Sequence, residues 1–262
     1  GMASSAFAQK KYAFSVNIND VADDKVMVTL TPPKLKDKKL TYHIPKIVPG
    51  TYSVYDFGRF VTDFKAVDKK GKELPVSHPD ANTWIIKKAN KVAKITYMVE
   101  DTWDTKKANF VFEPGGTNIE DGKNFVFNNH GFFGYFDGHQ FMPYEISIER
   151  PENFFGATSL ARTSSENNTD VFVAENYNYL VDAPIMYCEP DTAVFKVGNA
   201  DVLISTYSPN GIVKSSYLAE EIAPTLEAQR KYLGGTLPVD RYVFLLYLND
   251  ESYNSGSRSE ER

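Results

Sequence analysis

Two histidines and one aspartate lie close together in this 262-residue chain, and side chains of these kinds bind metals or transfer protons. His130 and His139 are nine positions apart in NNHGFFGYFDGHQF, with Asp137 between them. Imidazole and carboxylate groups are common zinc ligands and general acids or bases. A metal site here would need a third ligand and a loop that folds back on itself. We favour the simpler interpretation of a glycine- and aromatic-rich loop with solvated histidines.

The motifs of complete catalytic sites are absent from the sequence. It has no His-Glu-x-x-His segment, which in zinc peptidases places two imidazoles on one helix face with a glutamate as base. It has no Gly-x-Ser-x-Gly segment, the nucleophile elbow of serine hydrolases. GGTNIEDGKN (115–124) has glycines like those of a phosphate loop but not their spacing, so we interpret it as a surface turn. We therefore predict no catalytic residue and no metal ligand in this chain.

The segment VPGTYSVYDFGRF (48–60) combines turn residues with aromatic residues. Pro49 and Gly50 fit a type II turn. Arg59 could stack on an aromatic ring or pair with Asp56. We predict that this segment forms a tightly packed corner of the fold.

The aromatic loop FNNHGFFGYFDGHQFMPY (127–144) is long enough to line a pocket or to contact a neighbouring molecule. Its candidate cleft-wall or partner-binding residues are His130, Phe133, Tyr135, Asp137 and His139. One hypothesis is a stand-alone module that binds a peptide or a protein partner through this loop. That hypothesis requires exposed rings at Phe132, Phe133, Tyr135 and Phe136, and a folded tail at 249–262. Another hypothesis is an enzyme that uses His130, Asp137 and His139.

Short segments of alternating apolar and polar residues run from 11 to 183 with no helical pattern between them. Such spacing predicts an antiparallel β-sandwich, and the 18 Phe and 16 Tyr agree with a β-rich fold. The predicted strands are 12–18, 26–30, 59–67, 83–88, 94–100, 110–112, 125–127, 144–150 and 169–175.

Residues 184–250 are predicted to form a short α+β segment. Two strands, 192–198 and 201–208, precede a helix at 218–235 that Ser215 or Ser216 could cap. Pro224 predicts either a kink in this helix or its true start. Gly234-Gly235 predict the end of the helix. The segment LPVDRYVFLLYL (237–248) is apolar at nearly every position, which predicts a buried strand.

The two ends of the chain are polar. Ala6-Phe7-Ala8 has the small-x-small pattern that signal peptidases cleave, so 1–10 are interpreted as a leader or processing remnant. Residues 251–262 are predicted to be a disordered tail. We expect a periplasmic or secreted protein, with the cytoplasm as the alternative.

The composition excludes several classes of partner. A net charge of −5 gives no broad positive field for nucleic acid or an anionic membrane, and no stretch reaches the ~20 apolar residues of a membrane span. The lone cysteine, Cys188, excludes an intrachain disulfide and a multi-cysteine zinc site.

Two blocks of the sequence resemble glycyl-aminopeptidase-like zinc metallopeptidases. VPGTYSVYDFGRFVTDFKAV (48–67) is similar to a block in the family's amino-terminal domain, and its matching residues are Pro49, Gly50, Tyr52, Phe57 and Arg59. LEAQRKYLGGTLPVDRYVFLLYL (226–248) is similar to the start of the family's catalytic domain. The blocks have the same order as in the family, and the resemblance covers about 10–250.

The resemblance implies an amino-terminal β-sandwich followed by a thermolysin-like zinc domain, and an activity that removes residues such as Gly or Ala from peptide amino ends. No position of this sequence matches the family's zinc ligands or general base. We therefore expect no cofactor in this chain, zinc in a full-length parent, and the remainder of the catalytic domain as the partner. By analogy with larger relatives, loop 127–144 is expected to form one wall of the cleft.

Overall fold

The computed structural model describes residues 10–50 and 53–248, together with the backbone of 257–261. Its strands are β1 (Tyr12–Ala22), β2 (Lys25–Thr31), β3 (Lys39–His43), β4 (Val61–Asp68), β5 (Val76–Asp80), β6 (Thr83–Lys87), β7 (Val92–Glu100), β8 (Asn118–Glu120), β9 (Asn124–Phe127), β10 (Tyr135–Phe136), β11 (Tyr144–Glu149), β12 (Phe155–Ala157), β13 (Ala161–Glu166), β14 (Thr169–Ala174), β15 (Ile185–Cys188), β16 (Thr192–Val197), β17 (Ala200–Tyr207), β18 (Arg241–Tyr247) and β19 (Ser257–Glu261). The helices are α1 (Asn129–Phe132), α2 (Tyr177–Val181) and α3 (Ser215–Tyr232), with 3-10 turns at Phe57–Phe60, Ala89–Lys91 and Glu113–Gly115.

These strands form four sheets. The large sheet has the order β13-β14-β11-β1-β2-β7-β4, and the side sheet β10-β3-β6-β5. The middle sheet has the order β12-β15-β9-β8, and the end sheet β16-β17-β18-β19. The mainly β fold predicted from the alternating pattern is confirmed. Within the sandwich, β1 pairs in parallel with β11, so the antiparallel prediction does not hold for this pair. In the end sheet, β17 also pairs in parallel with β18.

The main core lies between the large sheet on one side and the side and middle sheets on the other. Strand β1 shows why the alternating pattern predicts it, since Tyr12, Phe14, Val16 and Ile18 are buried and the residues between them are not. Side chains at alternate positions of a strand point to the same face, so one face of β1 is apolar. The same core includes Trp84 of the side sheet and the phenylalanines of β9.

The middle sheet is buried on both faces. In β9, Phe125 and Phe127 face the main core, whereas Val126 packs against a second cluster formed with the end sheet. All four residues of β15 are buried for the same reason. This second cluster includes Met186 and Leu245.

A buried carboxylate ties the large sheet to the middle sheet. Asp170 of β14 is fully buried, and its Oδ2 accepts hydrogen bonds from Arg150 Nε at 3.1 Å and from Tyr187 Oη of β15 at 2.9 Å. Its Oδ1 accepts a hydrogen bond from Ser165 Oγ at 2.6 Å, and Arg162 Nε lies 3.9 Å from the same oxygen. Charge-assisted bonds of this kind are needed to offset the cost of burying a carboxylate.

Helix α3 covers the outer face of the end sheet. It begins at Ser215 and contains Pro224, so the prediction of a start at Pro224 is wrong. Ser215 does not cap it; its hydroxyl donates to Asp191 O at 2.6 Å, and Lys214 is the N-cap residue. Among the described residues, no helix combines the length and the apolar character needed to cross a membrane.

Three further strand and turn predictions differ from the structure. The segment 110–112 lies in a loop rather than a strand, although its burial alternates as predicted, with Val111 buried and Phe110 and Phe112 each 51% exposed. The segment 115–124 is mostly buried, and only its turn at 121–123 is exposed. Strand β18 is not buried on both faces, since only Val243 and Leu245 are buried.

The predicted tail lies partly outside the described residues. Residues 249–256 and 262 are outside them, as are 1–9 of the predicted leader. The backbone of Ser257–Glu261 pairs antiparallel with β18, so the prediction of disorder differs from the structure over these five residues.

Candidate functional site

Residues 127–136 of the aromatic loop run through the interior of the sandwich, whereas 137–143 are exposed or half-buried, with Phe141 73% exposed. Phe132, Phe133 and Phe136 are fully buried, and Tyr135 is half-buried. The exposed rings that the stand-alone binding module requires are therefore absent from this described segment. The prediction that these rings are exposed is wrong, because the glycines beside the aromatic residues allow close packing in the core.

Tyrosine hydroxyls from the surrounding elements bind the backbone of this loop. Tyr42 Oη accepts a hydrogen bond from Gly134 N at 2.9 Å, and Tyr97 Oη donates to Phe132 O at 2.6 Å. The two hydroxyls are 3.0 Å apart, so Tyr42 can donate to Tyr97. Burial raises the pKa of both phenols above the ordinary value, which keeps them protonated as donors.

Two further tyrosines complete this arrangement. Tyr12 Oη accepts from Phe136 N at 2.9 Å, and Tyr177 Oη donates to Phe133 O at 2.8 Å. A buried backbone polar group costs free energy unless it has a partner. The four hydroxyls therefore supply partners for backbone groups of a loop whose regular structure is limited to the short elements α1 and β10.

His130, Asp137 and His139 lie in different environments. His130 is fully buried in α1, where Nε2 lies 2.9 Å from Gly115 O and the ring meets Phe57 edge-on at 4.4 Å. The interpretation of solvated histidines is thus wrong for His130. Asp137 is exposed and His139 is half-buried near the other end of the loop.

The described residues do not fit a zinc ion. Within 10–50 and 53–248, no group of three or more His, Cys, Asp or Glu side chains could hold a metal. The one cysteine, Cys188, is buried, and burial raises the pKa of its thiol to about 12. A thiol in this state is a poor ligand, because metals bind the thiolate.

The corner at 48–60 is held by Arg59. Its guanidinium stacks on the ring of Phe60, with Cζ 4.4 Å from the centroid. Its Nε donates to Tyr55 O at 2.8 Å, and its two Nη atoms donate to Ala108 O and Asn109 O. Arg59 thus fastens the loop that contains Phe110 and Phe112 to this corner.

The other residues of this motif take different places. Gly50 has a φ of 87°, the left-handed conformation that its turn position requires, and Pro49 beside it is exposed. Phe57 is buried. Asp56 accepts a hydrogen bond from Asn82 Nδ2 at 2.8 Å. Tyr52 lies outside the described residues.

The candidate functional site is the junction between the sandwich and the end sheet. The predicted α+β segment begins at residue 184, but β15 pairs with β9 and β12 of the middle sheet, so the sandwich extends through Cys188. Leu203, Val243 and Leu245 of the end sheet pack on Met186 and Cys188 of the middle sheet. This contact is where the end sheet rests on the sandwich.

The rim of the junction is formed by aromatic and polar side chains. Trp103 meets Tyr247 edge-on at 4.7 Å, and Tyr207 stacks on Tyr247 at 5.1 Å. Tyr247 Oη donates to Glu120 Oε1. A small cavity of about 40 Å³ lies between the two parts, lined by Trp103, Asn128, Tyr247 and others.

The sequence analysis missed these rim residues. Periodicity gives no signal for Trp103, which lies in a turn between two acidic residues, Asp101 and Asp104, rather than in a strand. A tryptophan in such a polar turn could have marked a contact. Glu120 and Tyr247 are 127 positions apart, so only the fold brings them together.

Leu245→Ala is expected to lower the free energy of unfolding by about 2–4 kcal/mol, because it opens a cavity in the junction where Leu245 is 8% exposed. Urea unfolding monitored by circular dichroism measures this change. Leu233→Ala is the matched control, since Leu233 is 52% exposed and should change the free energy by less than about 0.5 kcal/mol. Equal effects of the two substitutions would contradict the packing described here.

The fold is that of a β-sandwich domain on which a further sheet and helix α3 rest. The solved structure of an aminopeptidase N family protein from Idiomarina loihiensis is 19% identical to this chain and superimposes with a TM-score of 0.77. The match covers 93% of this chain and 44% of that one, so the chain spans less than half the length of that structure. This likeness shows the fold.

The sequence model of the family described as Peptidase M61 N-terminal domain matches residues 13–189, and the chain belongs to this family. The M1 zinc metallopeptidase from Deinococcus radiodurans is 11% identical with a TM-score of 0.46, over 90% of this chain and 55% of that one, which is a weaker likeness. No curated protein matches the chain. The resemblance to a peptidase amino-terminal domain is confirmed.

Proposed function

We propose that this chain is the amino-terminal, non-catalytic part of an exported zinc aminopeptidase. Its family membership over residues 13–189 is the observation that carries this proposal. The parent would remove amino-terminal residues, Gly or Ala among them, from peptides. The chain's own role is to form the sandwich and to support the first strands and helix of the catalytic domain at the junction.

Several observations favour a structural rather than a catalytic role for this chain. The interior part of the aromatic loop is fixed at Phe132 and Gly134 by tyrosine hydroxyls, and His130 lies within hydrogen-bond distance of a backbone carbonyl. The donor set of the described residues does not fit zinc. At the rim of the junction, Trp103 of the sandwich contacts Tyr247 of the end sheet, and Asn128 of loop 127–144 lines the cavity beside them.

The proposal predicts that the chain does not hydrolyse glycyl or alanyl p-nitroanilide, with or without added zinc. Release of p-nitroaniline is the measurement, with an active zinc aminopeptidase as positive control. Zinc-dependent turnover that a chelator abolishes would contradict the proposal. Unchanged turnover in a His130→Ala, His139→Ala chain would then exclude the histidine pair as its source.

Export is a separate part of the proposal, and Ala6-Phe7-Ala8 is the feature that supports it. Mass spectrometry of the natural protein from an extracytoplasmic fraction should show an amino terminus at Gln9. An intact leader on a protein confined to the cytoplasm would argue against export without affecting the proposed peptidase role.

A further inference from the structure

We propose that Arg162 and Arg241 form an anion-binding site at one end of the junction, and that its ligand is a small free oxyanion of the carboxylate or phosphate type. The two arginines lie on different parts of the chain, Arg162 on β13 of the sandwich and Arg241 on β18 of the end sheet. Arg241 is the first residue of β18 and Tyr247 of the rim is the last, so this site lies at the end opposite the rim. The inference does not depend on the proposed function.

Arg162 lies over aromatic rings at the edge of the sandwich. Its Cζ is 4.9 Å from the ring centroid of Phe155 and 5.3 Å from that of Phe172. Phe155 in turn packs against the apolar cluster of the junction. The Arg162 side chain is half-buried, and its Nη2 donates to Gly156 O. Within the described residues, its Nη1 makes no hydrogen bond and is therefore available to a ligand.

Arg241 reaches the same edge from the end sheet. Alternate residues of a strand point to one face, so Arg241 lies on the face of β18 that carries Val243 and Leu245. Both of these side chains are buried in the junction cluster against which Phe155 packs. Arg241 is half-buried and, among the described residues, has no hydrogen-bond or ion-pair partner. Burial, followed by the charge of Arg162, lowers the pKa of Arg241 below its ordinary value, which agrees with two guanidinium groups that lie close together.

The carboxylates at this end of the junction already have other partners. Asp170 accepts three hydrogen bonds from other side chains, and its Oδ1 is 3.9 Å from Arg162 Nε. Asp201 lies opposite Arg241 on β17, and its charge opposes the effect of Arg162 on the pKa of Arg241. The Asp201 side chain is 58% exposed and pairs with Lys196 at 2.7 Å. The two arginines therefore offer N–H donors and positive charge that these carboxylates do not match.

An oxyanion suits this arrangement for two reasons. Half-buried guanidinium groups repel each other more strongly than exposed ones, because less water screens their charges, and a negative ion between them replaces this repulsion with attraction. The planar fork of an arginine also matches the paired oxygens of a carboxylate or a phosphate, whereas chloride accepts hydrogen bonds at a single atom. Because the donors belong to different parts of the chain, a bound oxyanion connects the sandwich to the end sheet and stabilises the folded state.

Thermal unfolding of the full chain tests this site. Circular dichroism measures the Tm at neutral pH in sodium chloride, sodium phosphate and sodium malonate, at one constant ionic strength. Phosphate and malonate should each raise the Tm by about 2–4 °C relative to chloride, and the rise should saturate with anion concentration, as binding at one site requires. Exclusion of these anions from the protein surface also raises the Tm, but without saturation. A rise that does not saturate, or no difference from chloride, would overturn the proposal.

Substitutions locate the saturable rise in Tm. Arg241→Gln and Arg162→Gln should each abolish it. Lys231→Gln is the matched control, because it removes one positive charge from an exposed position of α3 and should leave the rise unchanged. A saturable rise that persists in Arg241→Gln would contradict the assignment.

Two further comparisons keep the test decisive. In chloride, Arg241→Gln should have at least the Tm of the unmodified chain, since it removes a repulsive charge, and a clear loss of Tm would contradict this repulsion. If Arg241→Gln does not fold, Arg241→Lys replaces it, because lysine keeps the charge but not the planar fork. The apparent Kd for malonate should then rise about tenfold, and an unchanged Kd would overturn the proposal.

Discussion

Asp170→Ala is expected to lower the free energy of unfolding by about 3–5 kcal/mol, the cost typical of breaking a buried ion pair by removing one partner. Asp170 is fully buried and binds Arg150, Ser165 and Tyr187. Its removal leaves the Arg150 guanidinium without its carboxylate and the Tyr187 hydroxyl without its acceptor. The measurement is urea unfolding of the full chain, followed by circular dichroism.

Asp201→Ala is the control for this substitution. Asp201 also pairs with a cation, Lys196 at 2.7 Å, but its side chain is 58% exposed. Exposed ion pairs contribute roughly 0–1 kcal/mol, so this variant should unfold close to the unmodified chain. A loss for Asp170→Ala as small as for Asp201→Ala would show that the bonds between the large and middle sheets do not stabilise the sandwich.

Gly134→Ala is expected to cost about 3 kcal/mol or more, because the added methyl group has no space in the core. A Cβ at this position would lie 2.7 Å from Tyr42 Cζ and would also overlap His43 O. Relief of the clash would displace Tyr42, whose hydroxyl accepts the Gly134 amide, so a buried donor would lose its partner. Thermal and urea unfolding measure the loss.

Gly131→Ala separates this clash from a general effect of substitution in the same loop. A Cβ at Gly131 would meet Thr117 Oγ1 at 3.4 Å as its nearest neighbour, and Gly131 lies in α1, where alanine is favoured over glycine. Its stability should stay within about 1 kcal/mol of the unmodified chain. If both alanines were tolerated equally, the packing of loop 127–144 against Tyr42 would be wrong.

The sandwich could be predicted from the sequence because alternation along β1, β7, β11 and β14 records directly which face is buried. Alternation also predicts a strand at 110–112, but there only the side chain of Val111 is buried and the segment is a loop. It also could not reveal that β1 pairs in parallel with β11, because the paired residues Tyr12 and Tyr144 are 132 positions apart and no local pattern encodes such a contact.

The candidate site was harder to predict than the fold. Glycines beside aromatic residues in 127–144 are compatible with either an exposed or a buried loop, and the deciding groups are hydroxyls on distant strands, such as Tyr42 and Tyr97. The burial of His130 likewise depends on Phe57, more than seventy positions away. Of the two contacts that the sequence leaves open for Arg59, stacking on an aromatic ring is observed, and the ring belongs to its chain neighbour Phe60.

The double burial of the middle sheet affects where this protein can be divided. The family match ends at residue 189, yet the cluster beneath β15 draws its side chains from both sides of that position, with Met186 before it and Val243 after it. Cutting the chain after residue 189 would expose to solvent one apolar surface of this cluster on each of the two fragments. The boundary of evolutionary similarity therefore does not coincide with the boundary of the cooperative folding unit.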